Sequence, residues 1–203
     1  MKHMKLWMTA AIFTLCSWMS TNAQTKQDEW FTSGSIGAGM STFVGDIEDA
    51  KSRFALAVNA EIGYNVTDWF APSIGLTNTY QGVGYSVIDK NLYMDILSVP
   101  LLVNLSAGPF TLKAGIQPDF ILSARMNGIS YTSELKRVSF SAPLALNWNF
   151  TTDSDGDLWF LELRYHLGLT KMNKDIIFSN GWRTPGSIRN SVLMLTVGYK
   201  CDL

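Results

Sequence analysis

Apolar and polar residues alternate along almost the whole chain after its first two dozen residues. In residues 158–170, apolar side chains occupy Trp159 and each second position to Leu169, whereas Glu162 and Arg164 belong to the other set. A period of two places successive side chains on opposite faces of a β-strand and does not fit a helix. The same alternation predicts eight strands, near 33–43, 54–64, 69–81, 92–105, 110–123, 138–150, 158–170 and 193–203.

The lengths of the predicted strands and of their connections favour a membrane barrel. A tilted strand crosses a bilayer with about 9–11 residues, whereas strands of globular proteins average about 5–6. Long and short connections alternate; the long ones lie near 44–53, 82–91, 125–136 and 171–190, and the short ones near 65–68, 106–109 and 151–157. Outer-membrane barrels have tight periplasmic turns and longer external loops. We predict an all-β fold, an eight-stranded antiparallel up-and-down transmembrane β-barrel with both ends of the mature chain in the periplasm.

A soluble lipocalin-like binding barrel would show the same period, so the composition of the two faces must separate the alternatives. The polar face consists mainly of Gly, Ala, Ser, Thr and Asn, and the larger apolar face carries one charge, Asp95. Small residues with a few charges suit the interior of an eight-stranded barrel, which side chains just fill. We therefore expect the apolar face to contact lipid. This explains a charged fraction of 16%, where soluble domains carry about 25%.

The N-terminal segment has the features of an export signal. Lys2 and Lys5 precede an apolar stretch, and small residues end at Ala23. We predict a signal peptide at 1–23, a periplasmic N-terminal tail at 24–32 and an outer-membrane β-barrel domain at 33–203, in the outer membrane of a Gram-negative cell. With 16 basic and 17 acidic residues, the chain lacks the basic surface of a nucleic-acid-binding protein.

The stretch from Tyr93 to Ala124 resembles the PorT-like outer-membrane β-barrel proteins of Bacteroidetes, a porin-type family of the cell envelope. The family has a Leu-Glu-Ile-Pro-Leu-Leu strand, a Gly-Pro turn and a strand with Ala-Gly-Pro. The corresponding positions here are Leu97–Leu102, Gly108-Pro109 and Ala114-Gly115. The resemblance implies a membrane barrel and, as one alternative function, an accessory role in type IX protein secretion.

Two positions depart from the pattern of that family. Ser98 stands where the family often has an inward Glu, and Asn104 where it often has Lys. An interior ion pair of the family is therefore expected to be missing from this chain.

Inward positions also carry charged side chains that could form either an interior network or an active site. They are Glu61, Lys113, Asp119, Glu162, Arg164, His166, Lys200 and Asp202. As an enzyme, the chain would use His166 as a general base oriented by a carboxylate. Because charges in a narrow, poorly hydrated interior must be paired, we favour an interior polar network and predict no enzyme activity and no cofactor. Asp153, Asp155 and Asp157 lack the bidentate Glu of a calcium loop, so we predict no metal site.

The charges of the connections sort between the two ends of the barrel. Ten basic and six acidic residues lie in the long loops, and the short turns carry four acidic residues. We predict an external basic rim that contacts outer-membrane lipid and the anionic head groups of lipopolysaccharide. Its residues are Lys171, Lys174, Arg183 and Arg189.

Further partners follow from the terminal strand and the loops. The alternation up to Leu203 resembles the insertion signal that the outer-membrane assembly machinery reads, and the external loops offer a surface for a protein partner. The predicted function is structural or interaction-based. A type IX secretion accessory and a narrow solute pore are the alternatives.

Overall fold

The computed structural model describes residues 27–46, 50–85, 90–126, 128–152, 158–174 and 186–203. The strands are β1 (Trp30–Gly45), β2 (Ala50–Tyr64), β3 (Phe70–Tyr85), β4 (Lys90–Ser98), β5 (Leu101–Ala107), β6 (Phe110–Met126), β7 (Ile129–Ser130), β8 (Val138–Thr152), β9 (Leu158–Gly168) and β10 (Ile188–Asp202). One 3₁₀ turn covers Thr132–Glu134. The predicted signal peptide and the acidic turn at 153–157 lie outside the described residues.

The strands form a closed antiparallel ring. Each wall strand pairs with the next one along the chain, and β1 pairs with β10 from Phe31 opposite Asp202 to Gly45 opposite Ile188. β4 and β5 both lie between β3 and β6, so together they form one wall strand. β7 pairs only with the end of β6. The wall therefore has eight strands, and the predicted fold class is confirmed.

The fourth wall strand, predicted as continuous over 92–105, is interrupted after Ser98. Pro100 has no N–H to donate to a neighbouring strand. The Val99 N–H donates to the Pro118 carbonyl at 3.1 Å, and the Gly75 N–H donates to the Pro100 carbonyl at 2.9 Å. Hydrogen bonds thus continue on both sides of the interruption, and the wall stays closed.

A β-bulge in β6 changes which residues face outward. The pairing shifts between Asp95 opposite Ser123 and Ile96 opposite Ile121, so β6 has one additional residue. The alternation predicted Ser123 on the inner face, but Ser123 shares the outer face with Asp95, and Ala124 is buried. Because the bulge depends on the neighbouring strand, the sequence of β6 alone does not predict it.

The outer surface is apolar and the inner surface is closed by packed side chains. Leu163 and Leu195 are about half exposed on the outside, whereas the neighbouring Glu162 and Arg164 are buried. An apolar band around a ring without sheet edges is the arrangement that lipid requires. Aromatic pairs such as Trp30–Tyr64 and Trp159–Tyr199 lie toward the short-turn end. Among the described residues, no helix is long and apolar enough to cross a membrane.

The interior has a polar zone toward the short turns and an apolar zone toward the long loops. The apolar zone, which we name the apolar plug, consists of Phe43, Val83, Leu92, Met94, Ile96, Ile121, Ala124, Met172 and Ile188. The sequence predicted an inner face mainly of Gly, Ala, Ser, Thr and Asn, and it did not predict this zone of larger apolar side chains. At the long-loop end of the ring, apolar residues on the inner face pack against one another, and the removal of their surface from water stabilises them there.

Candidate functional site

A layer of buried charges fills the middle of the barrel. The Lys113 Nζ lies 2.7 Å from the Glu61 Oε2 and 3.6 Å from the Glu162 Oε2, and the Arg164 Nε lies 2.5 Å from the Glu162 Oε1. These side chains are at most 8% exposed. Two cations and two carboxylates balance each other, as a poorly hydrated interior requires.

The contacts of this charged layer cross the lumen. Lys113 lies on β6 and Glu61 on β2, and two wall strands separate β6 from β2. From the other side, the Arg164 Nη1 on β9 donates to the Asn59 Oδ1 on β2 at 3.2 Å. Side chains from opposite walls therefore meet in the centre and block the lumen at this level.

Uncharged polar side chains complete the coordination of the charged layer. The Ser73 hydroxyl donates to the Glu61 Oε1 at 2.7 Å, and the Asn104 Nδ2 donates to the Ser73 Oγ at 2.8 Å. The Thr77 hydroxyl donates to the Asn59 Oδ1 at 2.9 Å. Asn104 thus supports the layer by a hydrogen bond at the position where the PorT-like pattern has Lys.

Asp119 and His166 occupy a second layer that is closer to the long loops. Asp119 Oδ1 accepts hydrogen bonds from the Ser98 hydroxyl and the Gln117 Nε2, both at 2.6 Å. The Nδ1 of His166 faces the Gln117 Nε2 at 3.3 Å. The imidazole therefore contacts an amide where a general base would need an orienting carboxylate, and at 5% exposure a substrate has no access to it.

The remaining two residues of the predicted network lie toward the short turns. The Lys200 Nζ is 3.5 Å from the Asp202 Oδ1 and 4.3 Å from the centre of the Phe31 ring. A cavity of about 30 Å³ lies between Lys200 and Lys113. The structure thus places the predicted residues in three groups along the barrel axis, where the sequence suggested one network.

Several members of these layers carry no charge and were not among the residues predicted for the interior network. Asn59 links Arg164 on β9 to Thr77 on β3, and Gln117 links Asp119 to His166 on β9. Gln81 on β3 exchanges two hydrogen bonds with Asn190 on β10, at 2.9 and 3.3 Å. Each of these residues occupies an inward position of an alternating strand, and this position could have indicated that it belongs to the interior network. The described residues include no group of three or more His, Cys, Asp or Glu side chains placed to hold a metal ion.

The apolar plug is covered by two segments, which we name the mouth cover, residues 131–136 and 172–174. The Lys136 N–H donates to the Met172 carbonyl at 2.7 Å, and the Met172 N–H donates to the Ile188 carbonyl at 2.8 Å. Asn173 Oδ1 accepts a hydrogen bond from the Ile188 N–H at 3.1 Å. These bonds hold the Met172 side chain, 1% exposed, inside the plug.

The residues of the predicted basic rim have different environments. Arg189 is exposed on β10, Lys174 is exposed with its Nζ 2.5 Å from the Ser133 carbonyl, and Lys171 is half-buried. Arg183 lies outside the described residues. Arg125 and Arg137 are also exposed at the long-loop end. Both belong to the ten basic residues that the sequence places in the long loops.

Comparison with solved structures supports the fold. The crystal structure of Neisserial surface protein A has a TM-score of 0.53 and 10% identity, over 85% of this chain and 97% of that chain. The solid-state NMR structure of the outer membrane protein AlkL in DMPC bilayers has a TM-score of 0.51 and 11% identity, over 90% of this chain and 93% of that chain. The chain has the fold of an outer-membrane β-barrel. No family model matches the sequence. No curated protein matches it either.

Proposed function

We propose that this protein is a small integral protein of the Gram-negative outer membrane with a structural or interaction role, and that it neither catalyses a reaction nor conducts solutes. The observation that carries the proposal is the pair of contacts across the lumen, from Lys113 to Glu61 and from Arg164 to Asn59. A buried charge that loses its partner costs about 3–5 kcal/mol. A state with an open lumen would therefore have a very small population.

Conductance in planar bilayers tests the closed interior. The purified protein should give no stable single-channel steps. The double variant Glu61→Ala/Lys113→Ala removes both partners of one pair, so it leaves no unpaired charge there and should raise the frequency of conducting events. Stable steps in the unaltered protein, with the same conductance in the double variant, would support the narrow solute pore.

The partners that we propose contact the two ends of the barrel. At the long-loop end, lipopolysaccharide head groups would contact Lys171, Lys174 and Arg189, with Arg183 as a further member of the rim. Charge complementarity with anionic lipid supports this. The last strand, β10, would carry the signal for the assembly machinery, because it closes the ring against β1 over its whole length.

Binding of lipopolysaccharide can be measured on the protein in phosphatidylcholine nanodiscs. The variant Lys171→Gln/Lys174→Gln/Arg189→Gln should bind lipopolysaccharide more weakly, and the difference should shrink as salt rises, because salt screens exposed charges. Equal affinity of both proteins at low salt would remove the rim from the proposal.

The type IX secretion role remains a prediction from the sequence resemblance. The resembling residues Leu97–Leu102 include the interruption between β4 and β5, which is a structural feature and does not specify an activity. Deletion of the gene in its host, followed by measurement of type IX cargo in the culture medium, tests this role. Unchanged export would contradict it.

A further inference from the structure

One sector of the outer wall toward the long loops concentrates polar side chains on three adjacent strands. It lies on β3, β4 and β6 toward the long loops, and we name it the lateral notch. Its residues are Asn78, Tyr80, Tyr93, Asp95, Ser123 and Arg125. On the outer face of β8 and β10, Phe140 and Leu193 are more than 40% exposed, and β10 carries an exposed charge, Arg189, at its loop end.

The side chains of the lateral notch form an ordered group. The Asn78 Nδ2 donates to the Asp95 Oδ1 at 2.8 Å. The rings of Tyr80 and Tyr93 are stacked, with centroids 6.0 Å apart and an angle of 8° between their planes. Arg125 stands opposite Tyr93 on the next strand. An aromatic platform, a hydrogen-bonding pair and a cation thus lie within three adjacent strands.

The β-bulge in β6 helps to shape the lateral notch. Because of the additional residue, Ser123 faces outward beside Asp95. The concavity in front of these strands has a volume of about 550 Å³ and is lined by Tyr80, Asn91, Tyr93, Ser123, Arg125 and Gly128. This volume lies within the range of small-ligand sites, about 300–1,000 Å³.

Polar groups on a lipid-facing wall are unfavourable unless a polar partner contacts them, because hydrocarbon offers no hydrogen bonds. Asp95 and Arg125 together leave the notch neutral, but Arg125 lies nearer the long loops, where its positive charge favours an anionic group of a partner. Toward the middle of the wall, the notch continues into an apolar surface of Leu76, Leu97, Phe120 and Leu122. A ligand that fits both surfaces has a polar anionic head and hydrocarbon chains.

We propose that the lateral notch binds the phosphorylated sugar head group of a lipid in the outer leaflet of the membrane. This proposal rests on the proposed function, since it requires the long-loop end to face a leaflet that contains lipopolysaccharide. The stacked Tyr80 and Tyr93 offer aromatic surface to a sugar ring. The Asp95 carboxylate accepts hydrogen bonds from the hydroxyl groups of the sugar, and the Ser123 hydroxyl donates to them. The Arg125 guanidinium binds the phosphate, for which its planar set of donors is suited, and the acyl chains pack on the apolar surface.

The test counts lipopolysaccharide molecules bound to the full mature protein in phosphatidylcholine nanodiscs by native mass spectrometry. The unaltered protein should retain a discrete bound molecule. Arg125→Gln removes a charge-assisted contact and should lower the affinity by about 10-fold. Tyr93→Leu removes half of the aromatic surface and should lower the affinity by a similar factor of about 10. Tyr93→Phe keeps the aromatic ring and should bind almost normally. Phe140→Leu, on the outer face of β8, is the matched control and should bind as the unaltered protein does.

Chemically altered probes separate the phosphate from the rest of the lipid. Dephosphorylated lipopolysaccharide should bind to the unaltered protein as weakly as lipopolysaccharide binds to Arg125→Gln. Inorganic phosphate alone should not compete at equal concentration, because it lacks the sugar and the acyl chains. If free phosphate displaces the lipid, the site is a simple anion site and the proposal is wrong.

The outcomes also distinguish the lateral notch from the basic rim. One possible result is weaker binding in the variant Lys171→Gln/Lys174→Gln/Arg189→Gln and normal binding in both notch variants. This result would overturn the proposal that the lateral notch binds the lipid and would support the basic rim. The reverse result would remove the rim and support the notch. If the notch variants change only the oligomeric state in nanodiscs, the notch is a protein contact and the lipid proposal fails. Each variant must first show heat-modifiable gel mobility, the sign of a folded barrel.

Discussion

The Lys113 ammonium lies 2.7 Å from the Glu61 carboxylate, although the two residues are 52 positions apart in sequence and on strands that do not touch. The pair therefore links two sides of the wall through the lumen. Glu162 and Arg164 join it from β9. Barrel closure brings these four charges together, and two cations and two carboxylates balance one another inside the wall.

Removing the Lys113 ammonium should destabilise the barrel strongly. Lys113→Ala leaves two buried carboxylates with one cation, so we expect a loss of about 3–5 kcal/mol in the free energy of unfolding. Urea unfolding in lipid vesicles, followed by tryptophan fluorescence, measures this loss. Lys51→Ala, at an exposed position, is the control and should lie within about 0.5 kcal/mol of the unaltered protein.

The pairing itself can be separated from the loss of packing. Glu61→Gln/Lys113→Met removes one cation and one anion together and keeps side chains of similar length. This double variant should recover more than half of the stability that Lys113→Ala loses. A double variant that is less stable than Lys113→Ala would contradict the role of charge balance.

The contribution of Asp119 to stability should come more from its oxygens as hydrogen-bond acceptors than from its negative charge. Asp119→Ala removes the acceptor of the Ser98 hydroxyl and the shortest hydrogen bond of the Gln117 amide, which should cost about 1–3 kcal/mol. Asp119→Asn keeps an acceptor oxygen and should cost less. The same urea titration compares the two variants, and an equal loss in both would show that the negative charge is the important property.

The mouth cover should open when its anchor is shortened. Met172→Ala removes a buried side chain from the apolar plug. We expect the free energy of unfolding to fall by about 2–5 kcal/mol. Amide hydrogen exchange at Lys136 and Lys174 should accelerate, because both amides donate hydrogen bonds within the mouth cover. Met40→Ala, at a position 52% exposed on the outer wall, should leave exchange at both amides unchanged.

The turn between β5 and β6 requires a left-handed residue. Gly108 has a φ of +57°, and a Cβ placed there would meet no atom within 4 Å. Gly108→Ala should therefore lose about 1–2 kcal/mol through backbone strain alone. Gly34→Ala is the control, because its Cβ would meet nothing nearer than 4.0 Å and its φ is not in the positive region. Equal stabilities of the two variants would contradict this explanation.

Leu203 should contribute to assembly of the barrel in the membrane. The Leu203 N–H donates to the Trp30 carbonyl at 2.7 Å, and the side chain is 70% exposed. Deletion of Leu203 should reduce the yield of protein in the outer-membrane fraction, because it removes this N–H and an apolar side chain next to β10. Leu203→Phe keeps the N–H and an apolar side chain and should therefore preserve the yield. An unchanged yield after deletion would count against a role in recognition by the assembly machinery.

The alternation of the sequence predicted the strands and their faces closely, but the charged residues were harder to place. Glu162, Arg164 and His166 share one face because each is two positions from the next, which is a local property. Whether His166 meets Asp119 or Gln117 depends on contacts between β9 and β6, which the order of residues does not contain. The structure places the amide of Gln117 between them.

Sequence by itself determined the number of wall strands, their antiparallel order and the face of each that contacts lipid, because strand periodicity and loop length act over a few neighbouring residues. Tertiary structure decided which side chains meet inside. Ring closure placed Lys113 against Glu61, the bulge turned Ser123 outward beside Asp95, and two loops brought Met172 into the apolar plug. These relationships depend on pairing register and on distances across the lumen, which arise only when all the strands are in place.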